Sequence, residues 1–442
     1  MRLNPKLVAL TVGLVAIIPL YAAPAPTPEA RKLTLREALA LAKAQHIDSI
    51  LSRERVRQAI DRLGQSVAPL LPQVAGSSSQ SRETRNLEAF GITLPSEGPV
   101  VGPFNVFDAR VSVTQTLFDL SVIERLRAAA AGRDLSQAER LKTEQDVLAL
   151  VADLYIEAER AAAGARLLRS LVMRDRKNHL VEGKMLEIGT GSDLDVKRAE
   201  AALLESRRAY ESAKAVAVER RLDLTAALGL PAGQPIEFVE EGLFADPALP
   251  SQSEVAAAAE SHPEVQAARE QLRVREAERW AELAEFLPKI SGFGDYGLSG
   301  PGPSSSETTY TFGLKGTISL FEGGATVSRV DEAESRIRES QAAIRDTERR
   351  VEANVLSSIQ SLKSALTAVN AREAQLVAAA KEHALAGHRL VTGIGSDLEV
   401  LEGAAQENLA RDQRAEAVAV YRLAQVELLH SLGKMEALCE KK

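Results

Sequence analysis

The stretches Gly191-Ser192-Asp193-Leu194-Asp195-Val196 and Gly395-Ser396-Asp397-Leu398-Glu399-Val400 are two copies of one signal, 204 residues apart. A second glycine stands two places before each, at Gly189 and Gly393. Each copy interrupts a proline-free, helix-patterned run of more than a hundred residues. Glycine accepts backbone angles that end a helix. Serine followed three residues later by a carboxylate is the capping box that starts the next one. The sequence therefore predicts, twice, a tight turn between two long antiparallel helices, with Ser192, Asp195, Ser396 and Glu399 as helix caps.

Outward from these turns the chain repeats itself. Helical pattern over 33 to about 68 ends at Leu71-Pro72; its counterpart over 253–286 ends at Leu287-Pro288. At that offset of 216, His46 meets His262. Further on the offset falls to 203 or 204, and Leu117-Phe118-Asp119 meets Leu320-Phe321-Glu322. The turns follow, then Leu228-Gly229 with Leu432-Gly433. The domain reading is a tandem duplication, 33–230 and 251–442, joined by a linker over 231–250. The first copy carries a longer loop around 85–105.

Each copy reads helix, strand, strand, long helix, turn, shorter helix. Tyr310, Phe312, Leu314, Gly316, Ile318 and Leu320 alternate with Thr311, Gly313, Lys315, Thr317 and Ser319. Phe107, Ala109, Val111 and Val113 alternate with Asp108, Arg110, Ser112 and Thr114. Period two over about ten residues fits a tilted membrane strand with one lipid face and one wet face. The same pattern also fits a half-buried strand of a soluble sheet. The leading strands, 73–82 and 289–299, are rich in serine and glycine, and 95–103 and 300–306 read as exposed loops. Ten of the 17 aromatics lie within 72–120 and 286–321, where a globular core would spread them.

The helices after the strands are 68 residues each, 121–188 and 325–392, or roughly 100 Å at 1.5 Å per residue. Val147, Val151, Leu154, Ala158, Ala161, Ala165, Leu168 and Val172 step by three and four, the coiled-coil spacing.

The first 22 residues read as a secretory signal peptide: Arg2 and Lys6, then an apolar run over 7–18, then a small-residue exit. The only cysteine, Cys439, leaves no intrachain disulfide. Formal charge is −7, and −9 once Arg2 and Lys6 are removed, which argues against a nucleic-acid partner. No later run of 18 apolar residues exists, so a membrane role has to come from strands.

Four strands cannot close a membrane barrel, and open edges are not tolerated in lipid. Copies must share one: eight strands in a dimer, twelve in a trimer. Hairpins hung side by side around a symmetry axis make a hollow cylinder. The physical reading is a conduit across a membrane and an aqueous gap, with the glycine turns at its far end.

Over about 33–435 the chain resembles the TolC-type outer-membrane efflux proteins, a trimeric channel-tunnel family of Gram-negative bacteria. The resemblance rests on the duplicated halves, the Leu-Pro-Gln and Leu-Pro-Lys entries at 71 and 287, and the strand exits Gln115-Thr116-Leu117-Phe118-Asp119 and Ser319-Leu320-Phe321-Glu322. It also rests on the tips that lead into Asp195-Val196 and Glu399-Val400-Leu401-Glu402. It implies a mainly α fold with membrane β: long antiparallel helical hairpins forming an α-barrel tunnel, and four strands contributing to a twelve-stranded trimeric barrel. It implies a homotrimer in outer-membrane lipid with its helical part in the periplasm. A periplasmic adaptor (membrane-fusion) protein and an inner-membrane pump or exporter would be its partners.

The resemblance places an acidic pore constriction at Glu399 and Glu402. Glu399 has a competing role as a cap, whereas the repeat mate of Glu402 is Arg198, so helix chemistry does not demand an acid there. Where the family has a tyrosine–aspartate–arginine latch, this chain has Leu203, Leu204 and Gly395. Gly189, Gly191, Ser192, Asp193, Gly393, Gly395, Ser396 and Asp397 resemble adaptor-docking tips; plain turn chemistry is the bland alternative. His46 pairs with His262 and His179 with His383 by repeat position, without metal-ligand spacing. No cofactor or metal is expected. No catalytic constellation or nucleotide motif stands out, so an enzyme is not expected and energy must come from a partner. A secreted coiled-coil structural or adhesion protein without a pore is the alternative from another class.

Overall fold

The computed structural model describes residues 31–92, 98–232, 234–239 and 250–439. The signal peptide read at 1–22, and residues 240–249 of the linker, lie outside them.

Both long helices form within one residue of the bounds read from the sequence. Helix α3 spans Leu120–Glu187 and turns into α4, Asp193–Ala227; helix α7 spans Ala325–Val391 and turns into α8, Asp397–Ser431. Each is about 100 Å long, and each starts just after a strand. The acid in each strand exit makes that corner. Asp119 caps α3 by accepting from the Ser121 amide at 2.9 Å. Glu322 accepts from the Ser319 and Thr326 hydroxyls, both at 2.6 Å, and from Arg329. These donors hold its carboxyl down at about 2.

Strands β2 (Gln73–Asn86), β3 (Val100–Phe118), β5 (Lys289–Gly300) and β6 (Glu307–Thr317) form one antiparallel sheet in the order β2-β3-β5-β6. Its register puts the two alternating apolar sets on one face: Val111 opposes Tyr296, which opposes Tyr310, and Val113 opposes Gly294, which opposes Phe312. The other face is mostly hydrophilic, with Phe293 among its polar residues. There Arg110 binds Asp108 on its own strand and Asp295 on β5, the latter at 2.6 Å. A Cβ at Gly297 would lie 2.4 Å from the Arg110 Cβ, so glycine is what lets that side chain cross. Among the described residues both outer strands, β2 and β6, leave one edge unpaired.

Three readings are corrected. Strand β3 starts at Val100, inside the stretch read as loop over 95–103, and β6 stops at Thr317 instead of running to Leu320. The helical stretch 33–68 is two helices, α1 (Leu35–Gln45) and α2 (Ile47–Val67), and 253–286 is likewise α5 (Gln252–Ser261) and α6 (Pro263–Ala284). The breaks fall at His46 and His262. Each imidazole Nδ1 accepts from the amide two residues on, at 3.2 Å, and so caps the second helix. Third, the linker contains strand β4, Ile236–Phe238, which pairs in parallel with β1, Arg31–Leu33.

Midway along α3 sits the apolar core. Tyr155 is fully buried, donates its hydroxyl to the Leu33 carbonyl at 2.9 Å, and meets the Phe238 ring edge-on at 5.5 Å. The core is itself duplicated: Val147, Val151, Ala158 and Leu224 are buried, and so are their repeat mates Val351, Val355, Leu362 and Leu428. Helix α3 is flanked by α2 and α6 above this belt and by α4 and α8 below it; α7 contacts α6 and α8. Among the described residues no helix is long and apolar enough to cross a membrane.

Candidate functional site

The site lies at the hairpin ends, about 100 Å from the sheet. At the first tip Gly189 has φ +79°, its amide donates to the Leu186 carbonyl, and Thr190 and Gly191 donate to Met185 at 2.9 Å. The second tip repeats this: Gly393 has φ +73° and donates to Leu390, and Ile394 and Gly395 donate to Arg389 at 3.0 Å. The left-handed angle suits glycine because it has no Cβ to strike the carbonyl. At Gly191 and Gly395 the constraint is space. A Cβ there would come within 2.8 Å of the Leu186 nitrogen or the Arg389 Cβ.

Serine caps both return helices. The Ser192 hydroxyl accepts from the Leu194 amide at 3.2 Å, and the Ser396 hydroxyl from the Glu399 amide at 3.3 Å. Neither tip closes a reciprocal box, since no carboxylate reaches back to the serine amide. Asp195 turns instead toward Arg198, at 3.7 Å. This frees the role of Glu399 from capping: its amide serves the cap while its carboxylate is exposed.

The tips then differ in charge. In the first, Asp193 and Asp195 are followed by Lys197 and Arg198; in the second, Asp397, Glu399 and Glu402 have no cation nearby in sequence. Glu402 is exposed and, among the described residues, makes no ion pair. Residues three apart on a helix share a face, so Glu399 and Glu402 present two like charges together. The tips also differ in apolar exposure. Val391 and Ile394 stand out in solvent at the second, and Ile188 at the first. The sequence reading passed over these three, although each is an apolar residue where the helical period has run out.

At the latch positions Leu203 is buried and Leu204 exposed, while the crowding at Gly395 leaves no room for a side chain. Two further histidines join neighbouring helices. His383 bonds Glu407 at 2.6 Å across the α7–α8 hairpin, and that contact, with Arg411, holds the glutamate below the ordinary carboxylate range. His430 on α8 bonds Asp146 on α3 at 2.8 Å. Among the described residues no three His, Cys, Asp or Glu side chains are placed to hold a metal ion.

The sequence profile of the outer membrane efflux protein family matches residues 33–230 and 255–434. The alkaline protease secretion protein AprF of Pseudomonas aeruginosa is 25% identical over 298 residues, 63% of this chain and 59% of AprF. A probable efflux pump outer membrane protein, TtgC of Pseudomonas putida, is 24% identical over 79% of this chain and 72% of its own length. Among solved structures, the CmeC outer membrane channel of Campylobacter jejuni superposes with a TM-score of 0.76 at 18% identity, covering 90% of this chain and 85% of that one.

Proposed function

The chain belongs to the outer membrane efflux protein family, and on that premise we propose that three copies build one passive exit duct closed at its inner end by the glutamate-bearing tips. The protein is an outer-membrane duct for efflux or secretion. One observation carries the proposal. A four-stranded sheet, apolar on one face of β3, β5 and β6 and, among the described residues, unpaired at both edges, stands at one end of helical hairpins far longer than a bilayer is thick.

Twelve strands from three protomers remove the open edges that lipid forbids. The apolar face then meets the hydrocarbon, and the Arg110–Asp108–Asp295 cluster meets the water-filled lumen. Six hairpins continue the lumen into the periplasm as a helical tunnel. At its far end Glu402, joined by Glu399, forms an acidic ring that concentrates cations. The exposed Val391, Ile394 and Ile188 give the tips an apolar rim for a periplasmic adaptor protein. An inner-membrane pump or exporter beyond the adaptor supplies the energy.

The test is conductance. Purified from the outer-membrane fraction and placed in planar bilayers, the wild-type protein should conduct and be blocked by divalent cations. Exchanging both glutamates, Glu399→Ala with Glu402→Ala, should raise conductance or weaken the block. Unchanged behaviour removes the ring; a protein without conductance, found outside the membrane fraction, supports the pore-free rod.

A further inference from the structure

Between α3 and α7 the helical wall changes hands at the belt: α8 packs against both on one side of it and α6 on the other. These two shorter helices meet at His262. Its Nε2 lies 3.4 Å from the carbonyl oxygen of His430, in the last turn of α8. A Cβ on Gly433, just past that helix, would lie 2.7 Å from Pro263 Cδ, so the ends touch. Glu264 clamps the joint to its flanks, through Lys142 of α3 at 3.0 Å and Arg350 of α7 at 2.7 Å.

The hydrogen bonds at this joint require a neutral imidazole. Nδ1 of His262 accepts from the Glu264 amide, so it carries no proton, and Nε2 is then the nitrogen that donates to the His430 carbonyl. An imidazolium donates at both nitrogens. Its Nδ1–H would face the amide N–H, and the cap of α6 would be lost. Pro263 has no N–H, so the capped amide is the first that α6 presents.

The repeat mate His46 caps α2 in the same way but stands in a different setting. Asp48 Oδ2 is 3.8 Å from its Nδ1 and would pair with a proton there. The equivalent carboxylate beside His262 is Glu264, which Lys142 and Arg350 already hold. A cavity of about 260 Å³ opens beside the ring instead. Lys142 and Asp146 line it from α3, Glu427 and His430 from α8, and the uncharged Asn354 and Ser357 from α7. Burial holds the His262 imidazole below its ordinary range, over the opposing pull of the His430 carbonyl, Glu264 and Asp146.

We propose that His262 is an acid-released pin in the tunnel wall: in acid its imidazole takes a proton, lets go of the α6 N-terminus and turns into the cavity, and the α6–α8 joint loosens. The fold favours the neutral ring. The stability it contributes is therefore complete above the ordinary imidazole value of about 6.5 and is lost as pH falls below it.

Hydrogen exchange on the assembled protein tests this, with protection corrected for the pH dependence of free amides. Between about pH 7.5 and pH 5, protection at amides 264–266 should fall roughly fivefold in wild type, the scale of a lost cap. In His262→Asn it should change by less than ~2-fold, because asparagine caps without titrating. His262→Ala should be poorly protected at both pH values. Wild-type protection that survives at pH 5 overturns the pin, and so does an equal loss in His262→Asn, which would assign the effect to the neighbouring acids. The wild-type chain supplies a second reading that needs no variant. Exchange of the imidazole C2 hydrogen, followed by mass spectrometry, reports the charge of each histidine ring. The His262 midpoint should coincide with the amide loss; amides that open while the ring is still neutral overturn the proposal.

Discussion

The first hairpin tip, 189–198, and the second, 393–402, share a backbone and differ in charge. Both use a left-handed glycine, a second glycine pressed against the preceding helix, and a serine cap. Only the first balances its acids, with Arg198 beside Asp195; the second carries Glu399 and Glu402 unbalanced. What is shared builds the turn, and what differs is free of that task. In a trimer the tip ring therefore has threefold, not sixfold, electrostatics.

The strongest way to break this comparison is to make the first tip resemble the second. Arg198→Glu removes the partner of Asp195 and adds three acids to the ring. Cation selectivity in bilayers should rise by about twofold or more, in proportion to ring charge. No change in selectivity would mean that the first tip does not face the ion path. A smaller effect sharpens the shared part. Gly189→Ala and Gly393→Ala each force a side chain into the left-handed region, at roughly 1–2 kcal/mol. Local opening measured by hydrogen exchange should become easier by similar amounts at both tips. Unequal effects would show that the two turns are not equivalent.

The smallest effect lies in the belt, at another unshared pair. Asp153 has Ser357 as its repeat mate. Burial, with Glu157 and Glu427 nearby, pushes the Asp153 carboxyl up to about 6. Its native form therefore holds a proton that the unfolded chain releases near pH 4. Folding stability should fall as pH rises through about 6. Asp153→Asn should stabilise by about 1 kcal/mol at pH 7.5, after allowance for its partial exposure, and by nothing at pH 4. Thermal denaturation at the two pH values checks the sign; an Asn variant that stabilises equally at both would contradict it.

The long helices, the strand pairs and the turns were legible because each follows from local period and local turn chemistry. Helix α3 has its expected length because no residue between Asp119 and Gly189 can stop it. The break at His46 was not legible, since an imidazole nitrogen caps that helix where serine or aspartate is the usual sign. The pairing of β1 with β4 joins three-residue strands some two hundred positions apart, too short to show a period. The end of β6 was overestimated for another reason. Ile318 and Leu320 continue the alternation, but the ladder with β5, the partner of β6 among the described residues, ends at Lys289 opposite Thr317. At the tips the glycines and serines announced themselves, while the separation of Glu399 from capping required the hydroxyl and carboxylate positions.

The serine-rich, charged character of β2 made it the weakest strand in the sequence, and that weakness has a use before assembly. A newly exported protomer carries two bare strand edges through an aqueous compartment, and a bare edge is a template for wrong partners. Ser77, Ser78, Ser79 and Ser81, followed by Arg82, Glu83 and Arg85, make one of those edges poor at sticking to anything by hydrophobic contact. Its companion edge on β6 carries Tyr310, Phe312 and Leu314 and has no such protection. The solitary chain thus pairs one reluctant edge, which disfavours β2 joining another β2, with one adhesive edge, and closure into a ring leaves neither of them bare.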